Sequence, residues 1–302
     1  MAVWRLFALV VGCLLSQAVM ATSVLVVLSE AGGAYAEFAE ALKAERDARG
    51  GYSIVVLQRT DFSPKDLQSH DLAVAVGAGA LRAIAQAESS IPVLSTLVPR
   101  PVFDATAGAV PGRRWSAIHI DQPFSRQFAL IRLALPDANR IGVLCDLTRP
   151  YDMQPLRDAI ADTPLQLVFE AFSGESGLFP SLSRVLEQSD VFLALPDPQI
   201  HNAGNVRNLL LTSFRARVPV IGFSAAYVRA GAVMSLYSTP EQMARQASDA
   251  LVGWTRDRIW PVAQHPRHFT VSVNAHVARS LGLRIEDGDM LRDRLVRQER
   301  LP

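Results

Sequence analysis

Uninterrupted apolar runs, each followed by a segment with helical spacing, constrain this chain more than any other feature. Residues 24–28 form such a run, and behind it Tyr35, Phe38 and Leu42 recur at helical intervals until Gly50 and Gly51. A strand with one wet face alternates apolar and polar side chains, whereas a strand covered on both faces reads as continuous hydrophobic sequence. Further runs at 54–57, 72–76, 93–94 and 116–120, with a helical stretch at 81–87, predict a parallel sheet sheathed by helices on both sides.

The pattern then restarts. Phe128, Ile131 and Leu135 mark a helix stopped by Pro136, and strands are expected at 141–144, 165–169, 191–195, 218–223, 233–237 and 269–273. Helices fall at 156–161, 206–214 and 277–281, and Met243, Ala247, Leu251 and Trp254 share one face of a longer helix. At 302 residues the chain exceeds one small core. The predicted fold class is α/β, with two doubly wound parallel-sheet lobes joined by a three-crossing hinge. The crossings are expected near 121–124, 237–240 and 264–268. The first lobe is read as 22–120 plus 238–264 and the second as 121–237 plus 265–290. Residues 291–302 read as a charged tail, a solvated terminal helix.

The first 21 residues read as an address. Arg5 supplies a positive start, and residues 6–15 are apolar but too few to span a bilayer. Val19-Met20-Ala21 then places small residues at −3 and −1 for cleavage before Thr22, so the mature chain is expected outside the cytoplasm. Val10-Val11-Gly12-Cys13 also resembles a lipidation site, but the apolar run continues past Cys13 to Leu15, which favours cleavage at Thr22. Cleavage leaves Cys145 alone, without a partner for an intramolecular disulfide. Thirty basic residues against 29 acidic ones, with no basic run, argue against nucleic acid as a partner.

In open α/β sheets a ligand sits beyond the carboxyl ends of the strands. The candidate contacts there are Ser29, Glu30, Gly77, Ala78, Gly79, Thr96, Asp121, Asp197, Ser224 and Tyr237. Helix N-termini converge on the same edge and favour an anion such as a carboxylate. Asp197, stiffened by Pro196 and Pro198, reads equally as a ligand contact and as a helix cap. Tyr227 and Tyr237 could stack on a planar ligand or fill the core. No cofactor and no metal are expected. Gly77-x-Gly79 has Arg82 in place of a third glycine, and His265-x-x-His268 lies in a proline-rich connection without a further ligand. Gly222-Phe223-Ser224-Ala225-Ala226 imitates a nucleophile elbow, and a hydrolase using Ser224 with His265 is the enzymatic alternative. Ala230-Gly231 ends the following helix too soon for that, so Ser224 reads as a ligand donor or a cap.

Several segments carry a family likeness. They are Asp121-Gln122-Pro123, Leu135 through Leu144, Ala194 through Pro198, Arg217 through Ser224, Tyr227 through Ala232, Tyr237 through Gln242 with Arg245-Gln246-Ala247, and Phe269 through Asn274 with Ala278-Arg279-Ser280-Leu281-Gly282-Leu283. In this order the chain resembles ABC-transporter substrate-binding proteins of the tryptophan/tyrosine type, over most of its mature length. The resemblance implies a type I periplasmic-binding fold, a small organic ligand, amino-acid-like or another carboxylate, and an ABC permease as partner. A membrane sensor is the alternative partner. A monomer in the periplasm is expected. The chain departs from the likeness at Gly77-Ala78-Gly79-Ala80 and at Leu97-Val98-Pro99-Arg100-Pro101, which leaves the ligand open. N-terminal sequencing of the exported protein should start at Thr22; an acylated Cys13 or an intact Met1 would contradict the cleavage reading.

Overall fold

The computed structural model describes residues 21–87, 89–146, 153–161, 163–197 and 200–299. Residues 1–20 of the expected signal peptide, with Cys13, lie outside them, as do Pro198 and 300–302.

Two sheets form. The first has five parallel strands in the order β2-β1-β3-β4-β5. These are β1 (Thr22–Leu28), β2 (Tyr52–Gln58), β3 (Leu72–Val76), β4 (Val93–Val98) and β5 (Trp115–His119). The second has six strands in the order β11-β10-β9-β8-β6-β7. Its members are β6 (Arg140–Asp146), β7 (Gln166–Phe172), β8 (Val191–Leu193), β9 (Val220–Gly222), β10 (Met234–Tyr237) and β11 (Thr270–Val273). Only β11 runs antiparallel to its neighbour, β10.

The helices between the strands of the first sheet are α1 (Gly33–Arg49), α2 (Ala78–Gln86) and α3 (Arg100–Gly108), with a 3-10 turn at Pro64–Ser69. The second sheet carries α4 (Phe124–Ala134), α5 (Gln154–Ala161), α6 (Glu175–Glu187), α7 (Ala203–Arg215) and α8 (Ala225–Ala230). After it come α9 (Pro240–Asp257), α10 (Ala275–Ser280) and α11 (Gly288–Glu299).

The continuous apolar runs have a direct explanation. Side chains alternate across a strand, so β1 sends Val24, Val26 and Leu28 into one core and Leu25 and Val27 into another. The first core packs on Phe38 and Leu42 of α1 and on Met243, Ala247, Leu251 and Trp254 of α9. The second packs on Leu81 and Ile84 of α2 and on Phe103 of α3. Every residue of β3 is buried for the same reason. Burial of each such Val or Leu contributes about 1.5–3 kcal/mol.

α9 follows a strand of the second sheet yet covers the first. Its start is fixed by Thr239, whose Oγ1 accepts from the Gln242 N–H at 3.2 Å while Gln242 Oε1 accepts from the Thr239 N–H at 3.0 Å, with Pro240 at the first helical position. The chain then returns to β11. It therefore crosses between the sheets three times: at 120–123, at 238–239 and between α9 and β11.

Two differences from the sequence expectation stand out. α3 forms in a stretch to which the sequence pattern assigned neither strand nor helix, because Pro101 sits in its first turn and Phe103 anchors it in the core. Residues 291–299 form the expected helix, but it is not solvated all round: Leu291 and Leu295, four apart on one face of α11, are fully buried against β11 and α4. Gly288 opens that helix so close to β11 that an added Cβ would lie 2.2 Å from the Val271 carbonyl oxygen. At Gly253, inside α9, an added Cβ would meet nothing within 4 Å. Gly288→Ala should therefore lower stability by about 1–3 kcal/mol, and Gly253→Ala should raise it by about 0.5–1 kcal/mol. Urea unfolding of both variants checks the two signs, and equal effects would contradict the close approach of α11.

Candidate functional site

The first and third crossings meet at a cavity of about 520 Å³. The first lobe contributes Arg100, Pro101 and Asp104 of α3; the second contributes Phe124 and Gln127 of α4, Asp158 of α5, and Pro196. Asp121 and His265, from the first and third crossings, line it between them.

Asp121 is placed by backbone geometry. It lies two residues beyond the end of β5, and its Oδ2 accepts the Arg100 N–H at 2.6 Å, at the first residue of α3. Burial raises its carboxyl above the ordinary aspartate range, and the bonds from the backbone N–H groups of Arg100 and of Asp121 itself oppose the rise. The Asp121 carbonyl lies 2.9 Å from His265 Nδ1, so that nitrogen carries the proton and donates. Beneath them the His119 ring packs edge-on against Phe103 and His265, with centroids 5.5 and 5.8 Å away. Burial, helped by the charges of His265 and Arg100, pushes His119 down to about 4. Its buried Nδ1 finds no hydrogen-bond partner among the described residues.

Polar groups around an apolar wall of Pro101, Pro123, Phe124 and Ala159 suit a small organic molecule with a few polar atoms. Asp104 pairs with Arg100 at 3.4 Å, and Asp158 accepts from Gln154 Nε2 at 2.6 Å. No cluster of His, Cys, Asp or Glu fit for a metal occurs among the described residues.

Of the ten sequence candidates, Asp121 lies in this cavity. Ser29, Glu30, Ala78 and Gly79 line a separate depression on the first lobe with Tyr35, Arg59 and Arg82. Gly77 makes the turn beneath it at φ 88°, where a Cβ would come within 2.6 Å of Ser29 Oγ and Tyr35 Cε1. Ser29 Oγ accepts the Ala80 N–H at 2.9 Å and closes that turn. Thr96 is fully buried in the first sheet. Ser224 lines a third depression, on the second lobe, with His201, Phe223 and Tyr227. Its hydroxyl oxygen accepts the Tyr227 N–H at 3.4 Å and caps α8. The Tyr227 hydroxyl bonds His201 Nδ1, and burial pushes His201 down to about 3 and raises Tyr227. The Asp197 carbonyl accepts the His201 N–H at 2.8 Å. The Tyr237 hydroxyl lies 2.9 Å from Ser272 Oγ, holding β10 to β11. Arg100, Asp104 and Phe124 were missed by sequence reasoning. Pro101 behind Pro99-Arg100 was the available signal for a helix start that would have brought Arg100 to the strand ends.

A family model described as ABC transporter substrate binding protein matches residues 46–288. The chain belongs to that family. Solved structures agree on the fold. A conserved domain protein from Vibrio cholerae is 20% identical with a TM-score of 0.64, covering 91% of this chain and 98% of its own. A ligand-free, open substrate-binding protein from Clostridium difficile is 16% identical with a TM-score of 0.68, covering 88% and 96%. A Streptococcus pneumonia ABC domain in complex with L-Trp is 14% identical with a TM-score of 0.63, covering 88% and 96%. No curated protein matches the sequence. Among the described residues of this substrate-binding family member, no helix is long and apolar enough to cross a membrane.

The buried histidines impose a pH dependence. His119 titrates near its ordinary 6.5 when unfolded and near 4 when folded, so the unfolded chain takes up its proton first. Stability should be level above pH 7 and fall by roughly 3 kcal/mol from this one group between pH 6.5 and 4. His201 acts in the same direction, and the raised carboxyl of Asp121 opposes both. His119→Phe should reduce the loss between pH 6.5 and 4, measured by thermal melting. A variant with the wild-type pH profile would contradict the burial of a neutral imidazole.

Proposed function

We propose that this substrate-binding protein captures a small organic ligand at Asp121 and closes its lobes over it, for delivery to an ABC permease. One observation carries the reading: the cavity takes its walls from both lobes and from two of the crossings. A ligand filling it gains its full contacts only when the lobes approach, and this differential affinity drives closure. The lobes are 22–120 with 238–264 and 121–237 with 265–290. On closure the first-lobe depression at Ser29, Glu30 and Gly77–Gly79 and the second-lobe residues Asp197, Ser224 and Tyr237 extend the site.

The chemistry of the cavity favours an amino-acid-like molecule. Asp121 accepts a hydrogen bond from a ligand amine or hydroxyl, and Arg100 stands on the same wall for an anionic end. The role is binding without turnover, by a monomer without cofactor, in the periplasm after removal of residues 1–21.

Mass spectrometry of protein purified from its own host should identify a co-purifying small molecule. Titration calorimetry with that molecule should then show Asp121→Asn binding about 5- to 150-fold more weakly, the cost of about 1–3 kcal/mol for a buried partner left unpaired. Unchanged affinity in Asp121→Asn, with a loss in Ser224→Ala, would move the site to the second-lobe depression.

A further inference from the structure

A polar network runs behind the cavity and reaches its wall through Gln122. Arg126 of α4 is 7% exposed. Its Nε and Nη2 donate to the two carboxylate oxygens of Glu299 at 2.5 and 3.0 Å. Its Nη1 donates to Gln122 Oε1 at 2.7 Å and to the Pro266 carbonyl at 3.0 Å, and the guanidinium lies 4.1 Å from the centroid of the Phe269 ring. Gln122 Nε2 donates to Ser238 Oγ at 2.9 Å, and Ser238 Oγ donates to the His268 carbonyl at 2.5 Å. Gln122 belongs to the first crossing, Ser238 to the second, and Pro266 and His268 to the third. A single connected set of bonds therefore ties the three crossings together, and its outer end is Glu299, in the last turn of α11.

A second set holds the crossings on the first-lobe side. The His119 N–H donates to the Gln264 carbonyl, and the Gln264 N–H to the Ala117 carbonyl, both at 2.9 Å. Between the two sets Ile120 is still held to β4, its N–H donating to the Val98 carbonyl at 3.1 Å, which leaves Asp121 in the first crossing and His265 in the third, whose carbonyl accepts from Gln246 Nε2 at 3.4 Å. In the second crossing Ser238 is held below while Thr239 already caps α9. Two side chains of α9 span the gap: Gln246 accepts the Arg267 N–H at 2.8 Å, and Gln242 donates to Thr270 Oγ1 at 3.1 Å. These are the bonds a lobe rotation has to exchange.

We propose that α11 is a strap that locks the second-lobe side of the hinge through Glu299 and Arg126, confining the bend to Asp121, the Ser238–Thr239 link and His265. The strap itself is held on the second lobe by Leu291, Leu295 and the close approach of Gly288 to β11. Charge makes it effective. A buried guanidinium satisfied by a bidentate carboxylate is stable, whereas the same group facing a neutral amide draws in water and releases its other acceptors. Two of the residues left free to bend line the cavity, so the strap directs hinge motion to the place where a ligand acts. The proposal rests on the closing-cleft reading above.

Hydrogen exchange on the full, ligand-free chain tests it. In the wild type, amides at 120–122 and 265–268 should exchange faster than those of β1; exchange as slow as β1 would remove the closing cleft itself. Glu299→Gln should speed the 120–122 and 265–268 amides at least tenfold and leave β1 and β3 unchanged. Arg126→Lys keeps the charge facing Glu299 but cannot reach every acceptor, so it should speed the same amides while α11 stays protected. Glu286→Gln, which breaks the exposed 2.7 Å pair with Arg294 just ahead of and within α11, should change neither region. If Glu299→Gln accelerates only α11, accelerates all strands equally, or changes nothing, the strap is overturned. Unchanged 120–122 and 265–268 amides in Arg126→Lys overturn it as well.

Discussion

A parallel sheet in water needs both of its faces covered, and the rest of this molecule follows from how that need is met. In the first sheet the strands divide their side chains between two cores, one packed on α2 and α3 and the other on α1. α1 covers only part of its face. α9, which follows the last parallel strand of the second sheet, supplies the remainder through Met243, Ala247, Leu251 and Trp254. The borrowed helix forces the chain to cross to the first lobe and back again, and with the original passage from β5 to α4 that makes three crossings. A hinge is thus a by-product of covering a hydrophobic face.

The same three crossings decide where chemistry can occur. They converge between the carboxyl ends of two sheets, and the cavity there borrows Asp121 and His265 from the connections themselves. Polar groups in such a place are costly unless partnered, and most of them are: Asp121 by the Arg100 N–H, the Asp121 carbonyl by His265, Arg126 by Glu299, Gln122 and Pro266. His119 meets the cost differently, by staying neutral. Membership of the ABC transporter substrate-binding family agrees with this layout, in which one cavity takes its walls from the ends of both sheets.

Much of the fold was legible in the sequence because burial on both faces leaves a periodic trace. The runs at 24–28, 72–76 and 141–144 lie within β1, β3 and β6, and the face of Met243, Ala247, Leu251 and Trp254 is the buried face of α9. The candidate site was less legible. Position at a strand end is a one-dimensional property, and it selected Ser29, Gly79 and Ser224 together with Asp121 although three separate surfaces hold them. Arg100 escaped because α3 is a short helix of weak formers, organised by Pro101 and by the burial of Phe103. The packing of the terminal helix α11 escaped because its charged residues masked the Leu291–Leu295 pair, whose partners on β11 and α4 are distant in sequence.

The central claim is that the lobes move as rigid bodies about the Asp121–His265 pivot. Spin labels at exposed Glu40 on α1 and exposed Ser183 on α6 would report the distance between them. Addition of the molecule that co-purifies with the protein should shorten and narrow that distance distribution. A distribution unchanged at saturating ligand would contradict the account.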